Sequence, residues 1–457
     1  MKKSIYALLV TAFMCSCSPT SIELNEESII AEGYKNTTLV CRNSWVELSG
    51  SSEQVLDGST ISLNGEDSWL FLPNISREQW ASSELSDRIL INDEPLQLDV
   101  NASLINYYNG VYLKPIASPA YSPATFYSER KKECVELKLD YIYKSDEVPL
   151  QDDAPWSIFL KKGHMMILAE NSDGTGESKT YIAICEDVCE ELPSELQGKV
   201  SFARVVAWNY VPKRGMGGGV KKVAALGELD VKWYYNWGYK DRATASMDFA
   251  PMFWSNNAQG GIDKVIGDSA TNHILAFNEP DGGDQSNLSP EEAVRRYPAL
   301  LATGLRIGSP ACREGNWKNW LSEFMEGCEK NNYRVDFIAT HWYDWGNWAE
   351  THDESPENVD AIVERFKRDI DNCYKKYGLP IWITEFNANK NRLTAIQIEF
   401  LERAIPMLEA HPHVERYAYF QPFGGNGDFV KDGALTPTAK AYACIESTPS
   451  IPEKAIR

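Results

Sequence analysis

Two glutamates near the ends of apolar runs are the residues of this chain whose setting best suits them for chemistry. Glu279 lies in HILAFNEPD, which begins at His273, and Glu385 lies in PIWITEFN, which begins at Pro380. Two carboxyl groups that face one cleft can cleave a glycosidic bond, because one protonates the leaving oxygen while the other acts as base or nucleophile. That chemistry requires a fold that brings both side chains together.

The region after Pro193 alternates strand-like and helix-like segments. Its helices have recognisable starts, such as Ser289 followed by Pro290, and Thr394. Eight strands that alternate with connections over about 250 residues are typical of a (β/α)8, or TIM, barrel. We therefore predict such a barrel over residues 193–447. Its strands are predicted at Ala203–Tyr210, Val231–Gly238, Phe249–Trp254, His273–Asp281, Arg306–Ala311, Asp336–Asp344, Pro380–Asn387 and Glu415–Pro422.

Barrel geometry gives the two glutamates a common location. Active sites of this fold lie at the carboxyl ends of the strands, and Glu279 and Glu385 end the fourth and seventh predicted strands. Aromatic faces there can stack on sugar rings, while amides and His can bond sugar hydroxyls. The predicted substrate-binding residues are Trp208, Asn209, Tyr235, Asn236, Trp237, Trp254, Asn278, His341, Trp342, Tyr343, Phe386 and Gln421.

The strings AFNEPD, WITEF, VKWYYNWG and HWYD resemble the glycosyl hydrolase catalytic core of glycoside hydrolase family 128, whose members are mostly endo-β-1,3-glucanases. The resemblance covers about Lys199 to Ile445. It implies a retaining double displacement on β-1,3-glucan, with Glu279 as general acid/base and Glu385 as nucleophile. With that assignment, Asn278 is expected to bond the sugar 2-hydroxyl and Tyr343 or His341 to orient Glu385. No metal or other cofactor is expected.

Other interpretations stay open. A related barrel acting on mixed-linkage glucan or a galactan would carry the same strand-end aromatics, and a surface glycan-binding lipoprotein with an inactive barrel would carry them too. His341 could instead be a buried structural histidine. The run Arg214 to Gly219 lacks the GK[ST] ending of a phosphate loop, so we interpret it as a flexible loop at the barrel rim. The sequence has no GxSxG string to support an esterase.

Residues 38–192 carry short β-branched and aromatic runs between turn signals such as Asn64-Gly65 and Asn109-Gly110. Because such pairs favour β-hairpins, this region predicts an all-β, sandwich-like accessory domain. Its tryptophans either pack in the core or form a sugar-stacking face, and packing is favoured because Trp in short strands is mostly buried. They are Trp45, Trp69, Trp80 and Trp156.

The first residues have the pattern of an export signal. Lys2 and Lys3 precede a short apolar run, and Cys15-Ser16-Cys17 follows it. We predict a lipoprotein signal over residues 1–17 with Cys17 as the lipid-bearing residue; plain secretion is the alternative. Residues 18–37 are expected to form a tether and 448–457 a tail. The chain is then an exported lipoprotein of a Gram-negative-type bacterium, at the outer membrane, the cell surface or in the periplasm.

Composition limits the partners. The 457 residues, 43% of them hydrophobic, are enough for two domains. The formal charge of -20 repels nucleic acid, so an uncharged polysaccharide is the expected partner and the lipid anchor the sole membrane contact. Disulfides such as Cys312 with Cys328 are allowed in an exported chain, but no cysteine spacing predicts a structural metal. We expect a monomer.

Overall fold

The computed structural model describes residues 20–65, 68–98, 100–107, 110–115, 122–131, 133–150, 155–184, 186–209, 211–218, 229–239, 248–255, 259–268, 271–345, 358–421, 425–450 and 452. The chain divides into two compact units, one with residues up to 121 and 209–211, the other with 122–208 and 212–457. The predicted boundary at 192/193 falls inside the second unit. The signal segment and Cys17 lie outside the described residues.

The first unit is built from stacked coils. Its elements are β1 (Thr20–Asn25), β2 (Ser28–Ala31), β3 (Tyr34–Lys35), β4 (Thr37–Arg42), β5 (Trp45–Leu48), β6 (Leu56–Asp57), β7 (Thr60–Asn64), β8 (Trp69–Leu72), α1 (Arg77–Ser82), β9 (Ile89–Ile91), β10 (Glu94–Pro95), β11 (Ala102–Tyr107) and β12 (Gly110–Pro115). β1, β4, β7 and β9 pair in parallel, as do β2, β5 and β8, and β3 with β6. Each strand of a coil thus pairs in parallel with the corresponding strand of the next coil.

This stacking aligns apolar residues from successive coils. Leu39 lies opposite Ile61, and Ile61 opposite Ile89, and all three side chains are buried. A coil cannot bury its apolar side alone, so the stack supplies the core. The described part of the predicted tether therefore forms strands β1 to β3. The prediction of a sandwich is wrong for residues 38–115, which form stacked coils.

The turn signals of this unit have two outcomes. β11 and β12 form the antiparallel hairpin expected at Asn109-Gly110, with Tyr107 opposite Gly110. Asn64-Gly65 does not form a hairpin, because β7 and β8 belong to different sheets. Gly65 has φ 87° there, and Asn43 has φ 49° at the corner of the preceding coil. Gly and Asn tolerate this left-handed conformation, so they suit sharp corners as well as hairpins.

The second unit begins with an antiparallel sandwich. Its strands are β13 (Ala124–Tyr127), β14 (Cys134–Leu137), β15 (Ile142–Lys144), β16 (Ser157–Leu160), β17 (His164–Ala169), β18 (Ser178–Ala183), β19 (Val188–Glu191) and β20 (Phe202–Ala207). They form the sheets β14-β13-β16-β19 and β15-β20-β17-β18. Phe126, Leu160, Met166 and Val205 share one buried core. β20 was predicted as the first barrel strand; instead it pairs antiparallel with β17.

Parallel strands and helices make up the rest. They are β21 (Arg214–Gly217), β22 (Trp233–Tyr235), β23 (Asp248–Phe249), α2 (Gln259–Ile266), β24 (His273–Ile274), α3 (Pro290–Arg296), α4 (Pro298–Leu301), β25 (Arg306–Ile307), α5 (Trp320–Lys330), β26 (Ile338–Trp342), α6 (Val359–Tyr377), β27 (Ile381–Phe386), α7 (Thr394–Ala410), β28 (Val414–Phe420), β29 (Val430–Lys431), β30 (Ala434–Leu435) and α8 (Pro437–Tyr442). The helix starts agree in part with the prediction: Ser289 caps α3, whereas α7 begins at Thr394 without a side-chain cap.

The parallel pairings form a closed circuit. β21 pairs with β22 and β22 with β23, while β26, β27 and β28 lead back to β21. β24 pairs with β25, and single parallel bridges from Met252 to Leu275 and from Gly308 to Phe337 link this pair to its neighbours on each side. The carboxyl ends of all these strands therefore point to one end of the circuit.

The glycine run predicted as a rim loop is strand β21. A Cβ atom on Gly215 would lie 2.2 Å from the ring of Trp233, and one on Gly217 would lie 2.9 Å from the hydroxyl of Tyr235. A Cβ on Gly218 would lie 2.0 Å from the ring of Trp237. The missing side chains make room for aromatic residues of β22 and the turn after it.

Buried ion pairs lie at the opposite, amino-terminal ends of the strands. Arg306 donates to both oxygens of Glu415 at 2.7 and 2.9 Å, and Arg416 donates to Asp248 at 2.7 Å. The ring of His273 lies between the two guanidinium groups, 3.4 Å from Arg306 and 3.3 Å from Arg416. Burial and the two arginines lower the pKa of His273. The carboxylates of Glu415 and Asp248 at this end of the circuit are thus each paired with an arginine.

Three further predictions concern the chain as a whole. Thr448 donates from its backbone N–H to Glu409 at 2.7 Å, so the described start of the predicted tail is bound to the fold. Cys312 and Cys328 are free thiols and do not pair. Among the described residues, no helix combines the length and apolarity needed to cross a bilayer.

Candidate active site

Glu279 and Glu385 meet at one cavity on the carboxyl side of the parallel strands. Glu279 follows β24 in the chain, and Glu385 belongs to β27. One carboxylate oxygen of each lies within 4.8 Å of the other. The cavity has a volume of about 580 Å³. Its lining residues are Trp237, Trp254, Asn278, Glu279, Gln285, Tyr343, Trp345, Glu385, Asn387, Lys390 and Phe420.

Hydrogen-bond donors fix both oxygens of Glu385. Tyr235 and the indole of Trp237 donate to Oε1 at 2.8 and 3.2 Å, and Tyr343 donates to Oε2. Burial, and then the Glu385 carboxylate itself, raise the pKa of Tyr235 and of Tyr343, so both phenols keep the proton that they donate. The carboxylate of Glu385 is therefore held in one orientation by donors from two sides.

Glu279 is held differently, by two groups that can carry positive charge. Its Oε1 lies 2.9 Å from Nδ1 of His341, and its Oε2 accepts from Nε of Arg313 at 3.1 Å. Burial raises the pKa of Glu279, but the bonds and charges of His341 and Arg313 lower it more, so the net shift is downward. Without sugar, the site favours the ionised form of Glu279.

The backbone at the site has positive φ angles in several places. Glu279 has φ 39°, and Trp237, Asp344 and Asn389 have φ 57°, 57° and 73°. Asp and Asn tolerate this conformation, whereas in Glu or Trp it costs roughly 1–3 kcal/mol and persists where the surroundings over-determine the backbone. The Glu279 N–H donates to the carbonyl of Ala311 at 2.7 Å, which helps to hold this conformation. The two strained residues, Glu279 and Trp237, both line the cavity.

His341 bridges the two glutamates. The ring is fully buried, and Nδ1 lies 2.9 Å from Glu279 and 3.4 Å from Glu385. Burial lowers the pKa of His341, but the carboxylates of Glu385 and Glu279 raise it more, and the net shift is upward. His341 thus contacts both residues, rather than orienting Glu385 alone.

Glu314 holds the loop that carries Tyr343. Its Oε2 accepts from the backbone N–H groups of Tyr343 at 2.8 Å and of Trp345 at 3.0 Å. Burial raises the pKa of Glu314 above its usual range, although these two bonds oppose the shift. Tyr343 donates to Glu385, and Trp345 lines the cavity. Glu314 therefore acts on the site through this loop.

Replacing Glu314 with Ala is expected to lower kcat/KM roughly tenfold, since small misplacements of positioning groups are costly in catalysis. Glu314→Gln keeps an acceptor and should retain more activity than Glu314→Ala. Steady-state kinetics on the glucan that the sequence resemblance implies as substrate would check this, with the exposed Glu323→Ala on α5 as matched control. Equal kinetics for Glu314→Ala and the control would show that the loop holds without Glu314.

Aromatic and amide groups surround the glutamates, as predicted for a sugar site. Trp237, Trp254 and Tyr343 line the cavity, together with Asn278. The amide of Asn278 donates to Gln285 at 3.4 Å, and its Oδ1 has no partner among the described residues. An acceptor so placed can bind a sugar hydroxyl.

Eight predicted binding residues do not line the cavity, and two of these, Tyr235 and His341, instead contact the glutamates. Trp342 stacks on Phe366 with ring centres 4.4 Å apart, and Phe386 is buried against the same ring at 5.3 Å. Both belong to the packing between β26, β27 and the helices. Their side chains point away from the cavity because successive residues of a strand face opposite sides. The other six residues are Trp208, Asn209, Asn236, Trp342, Phe386 and Gln421.

Two other members of this group, Trp208 and Gln421, have identifiable contacts. Trp208 follows β20 and packs edge-on against His273, with ring centres 5.2 Å apart. Gln421 accepts the backbone N–H of Phe429 at 3.1 Å, so it fixes a loop. Trp208 was assigned to the mouth because β20 was taken for a barrel strand. Its neighbour His273 lies at the amino-terminal ends of the strands, away from the cavity.

Several lining residues were not predicted as site residues: Gln285, Trp345, Asn387, Lys390 and Phe420. Trp345 and Asn387 each directly follow one of the quoted strings, HWYD and WITEF, so a window one residue wider around each motif would have included them. Gln285 and Lys390 lie in loops, where residue type alone gives no signal.

Glu279, His341 and Glu385 also have the spacing of a metal site, with one ligand atom of each within 4.8 Å of the others. Their carboxylate oxygens already accept from Tyr235, Tyr343 and the cationic Arg313. A guanidinium beside a ligand disfavours a second cation by charge repulsion. The donor set fits proton transfer better than metal binding.

Comparison with known proteins gives one family match and several relatives. The family model described as glycosyl hydrolase catalytic core matches residues 206–442. The alkali-sensitive linkage protein 1 of Schizosaccharomyces pombe is 30% identical in an alignment 236 residues long, which covers 46% of this chain and 40% of that protein. The chain thus spans less than half the length of this curated relative.

Two solved structures of glycoside hydrolase family 128 are also similar. An endo-β-1,3-glucanase of subgroup I from Amycolatopsis mediterranei is 30% identical, with 50% of this chain and 98% of that chain covered and a TM-score of 0.44. A curdlan-specific exo-β-1,3-glucanase of subgroup III from Blastomyces gilchristii is 31% identical, with 51% and 98% covered and a TM-score of 0.41.

Proposed function

Because the chain belongs to the glycosyl hydrolase catalytic core family, with residues 206–442 as its core, we propose that it is a retaining glycoside hydrolase that cleaves β-1,3-glucan. The closed circuit of parallel strands is, in this proposal, the (β/α)8 barrel of the enzyme. Glu385 is the nucleophile and Glu279 the general acid/base.

The observation that carries the proposal is the separation of the two carboxylates. Retaining enzymes hold these groups about 5–5.5 Å apart, whereas inverting enzymes need about 6.5–9.5 Å to admit a water molecule. Oxygens of Glu279 and Glu385 lie within 4.8 Å of each other. This spacing supports direct attack by a carboxylate on the sugar.

The proposed reaction has two steps. Glu385 attacks the anomeric carbon while the bond to the leaving glucosyl oxygen breaks, and Glu279 gives that oxygen its proton. The result is a glycosyl ester on Glu385 and a free fragment that carries the original reducing end. Glu279, now ionised, takes a proton from water, whose oxygen displaces Glu385 from the anomeric carbon. The product keeps its original anomeric configuration.

The donors around Glu385 fit a group that alternates between carboxylate and ester. Tyr235, Trp237 and Tyr343 hold the oxygens of Glu385 for its attack on the sugar. The same three donors can bind the carboxylate again when water displaces it from the anomeric carbon. For Glu279 the first step needs the acid form. Exclusion of water by a bound glucan favours that form, since desolvation disfavours a carboxylate.

An uncharged glycan is the substrate class that the cavity supports. Its walls include the flat rings of Trp237, Trp254 and Trp345, which can stack on the C–H faces of sugar rings. The choice of the β-1,3 linkage is the finer part of the proposal. It is supported by the strings AFNEPD and WITEF, which resemble family 128.

The test is hydrolysis of a glycan panel by the purified chain, with proton NMR of the first product. We expect cleavage of laminarin-type β-1,3-glucan and initial release of the β-anomer. Initial release of the α-anomer would contradict the retaining mechanism. Cleavage of a galactan or a mixed-linkage glucan, without cleavage of β-1,3-glucan, would show that the proposed substrate is wrong. Binding without hydrolysis of any glycan would support the inactive glycan-binding alternative.

A further inference from the structure

Arg313 contacts Glu279 from outside the cavity. It follows β25 in the chain, its Nε donates to Glu279 Oε2 at 3.1 Å, and 40% of its side chain is exposed. It is not among the residues that line the cavity. Its guanidinium can therefore act on the proposed acid without occupying the space of the sugar.

The turn after Glu279 is shaped around this guanidinium. The Arg313 backbone N–H donates to Asp281 at 3.2 Å, and its Nη2 donates to Asp284. A Cβ atom on Gly282 would lie 2.6 Å from the guanidinium carbon, so a larger residue there would displace the group from its present position. Arg313 is thus shared between two carboxylates, those of Glu279 and Asp284.

Other charged or titratable groups also face Glu279. His341 on β26 contacts its Oε1, and Glu385 on β27 lies beside His341. The phenols of Tyr235 and Tyr343 act from β22 and from the residue after β26, and Asp281 belongs to the same turn as Asp284. Among these groups, Arg313 is the cation that keeps its charge at every working pH.

We propose that Arg313 is a positioning residue that sets the charge state of Glu279, and that Asp284 tempers its effect by competing for the guanidinium. This inference rests on the proposed acid/base role of Glu279. The two catalytic steps make opposite demands, because the first needs an acid and the second a base. A cation that is partly neutralised by Asp284 leaves Glu279 able to serve both.

The two substitutions act with opposite signs. A carboxyl group that loses a nearby cation binds its proton more tightly, so Arg313→Gln raises the pKa of Glu279. Asp284→Asn removes the competing carboxylate and leaves the full guanidinium charge for Glu279, so the pKa of Glu279 falls. The side chain of Asp284 is 73% exposed, and solvent screening makes its effect the smaller one.

The test is a carbon NMR titration of the glutamate side-chain carboxyl groups in the sugar-free protein, with the Glu279 signal assigned by its loss in Glu279→Gln. We expect the midpoint of Glu279 to rise by about one pH unit in Arg313→Gln and to fall by less in Asp284→Asn. Arg313→Lys keeps a charge without the forked geometry and should lie between wild type and Arg313→Gln. The exposed Arg295→Gln on α3, which pairs with Glu292, is the matched control.

The basic limb of the pH profile of kcat/KM should move in the same direction as the titration, because loss of the acid form limits the first step. Midpoints that do not move, or that move in the same direction in both variants, would overturn the inference. The titration needs no turnover. A chain without glucanase activity would therefore refute the proposed function, whereas unmoved midpoints would refute the role of Arg313.

Discussion

Replacing Glu385 with glycine is expected to reduce glucan hydrolysis by about 10⁴-fold or more, since removal of a nucleophile eliminates the covalent step. The small side chain leaves space where the carboxylate stood. Added azide should enter that space, attack the anomeric carbon from the side that Glu385 occupied, and restore turnover. Glu279 still protonates the leaving oxygen. Because azide attacks from the side that Glu385 occupied, the product is an α-glucosyl azide, which NMR can identify.

Glu385→Gln is the matched control for this result. It also lacks a nucleophile but fills the space, so azide should not rescue it. Both variants should keep the thermal unfolding midpoint close to that of wild type, or the loss cannot be assigned to chemistry. Formation of a β-glucosyl azide by Glu385→Gly would contradict the nucleophile assignment.

Replacing Glu279 with alanine is expected to lower kcat/KM on glucan by about 10²–10⁴-fold, the usual contribution of a general acid or base. The loss should be much smaller on an aryl glucoside whose phenol leaves without protonation. With that substrate the second step becomes limiting, because no base activates water, and a burst of phenol should precede slow turnover. Stopped-flow absorbance would show the burst.

Azide separates the two glutamates here as well. In Glu279→Ala it should attack the glycosyl ester on Glu385 and give a β-glucosyl azide, the opposite anomer from Glu385→Gly. The exposed Glu323→Ala serves as the control for a glutamate lost elsewhere. An equal loss on glucan and on the aryl glucoside would show that Glu279 does not act on the leaving group.

The meeting of Glu279 and Glu385 was predictable because fold rules fix where a parallel strand ends, and both residues stand at such ends. Arg313 and Lys390 were not predictable in the same way. They lie in loops whose paths depend on local contacts, such as the fit of the Arg313 guanidinium over Gly282. His341 was found at the site because it belongs to a strand.

The first strand of the circuit was missed because its signal is weak. β20 reads as FARVVA and β21 as RGMG, yet β20 belongs to a sandwich and β21 to the parallel circuit. A continuous apolar run is the pattern of any strand buried on both faces, whichever sheet it joins. Glycine in a sequence suggests a loop. The glycines of β21 are explained only by the aromatic rings that pack against them in the structure.

The stacked coils of the first unit were missed for a related reason. Alternation identifies a strand but not its partner, and the partners of β4 and β7 are successive coils, not hairpin neighbours. Coil lengths differ, so no fixed period marks the repeat: β4 begins at Thr37, β7 at Thr60 and β9 at Ile89. Asn and Gly at the corners fit either arrangement.

The glycines in and directly after β21 make room for side chains of β22 and the following turn that bind Glu385. Gly217 leaves room for the hydroxyl of Tyr235, and that hydroxyl holds Oε1 of Glu385. Gly218 does the same for Trp237, the second donor to that oxygen. Selection for activity therefore acts on residues that touch no sugar. A methyl group added at either position would collide with one of these donors, so a relative can keep the strands of the circuit and still lose the hydrogen bonds to Glu385.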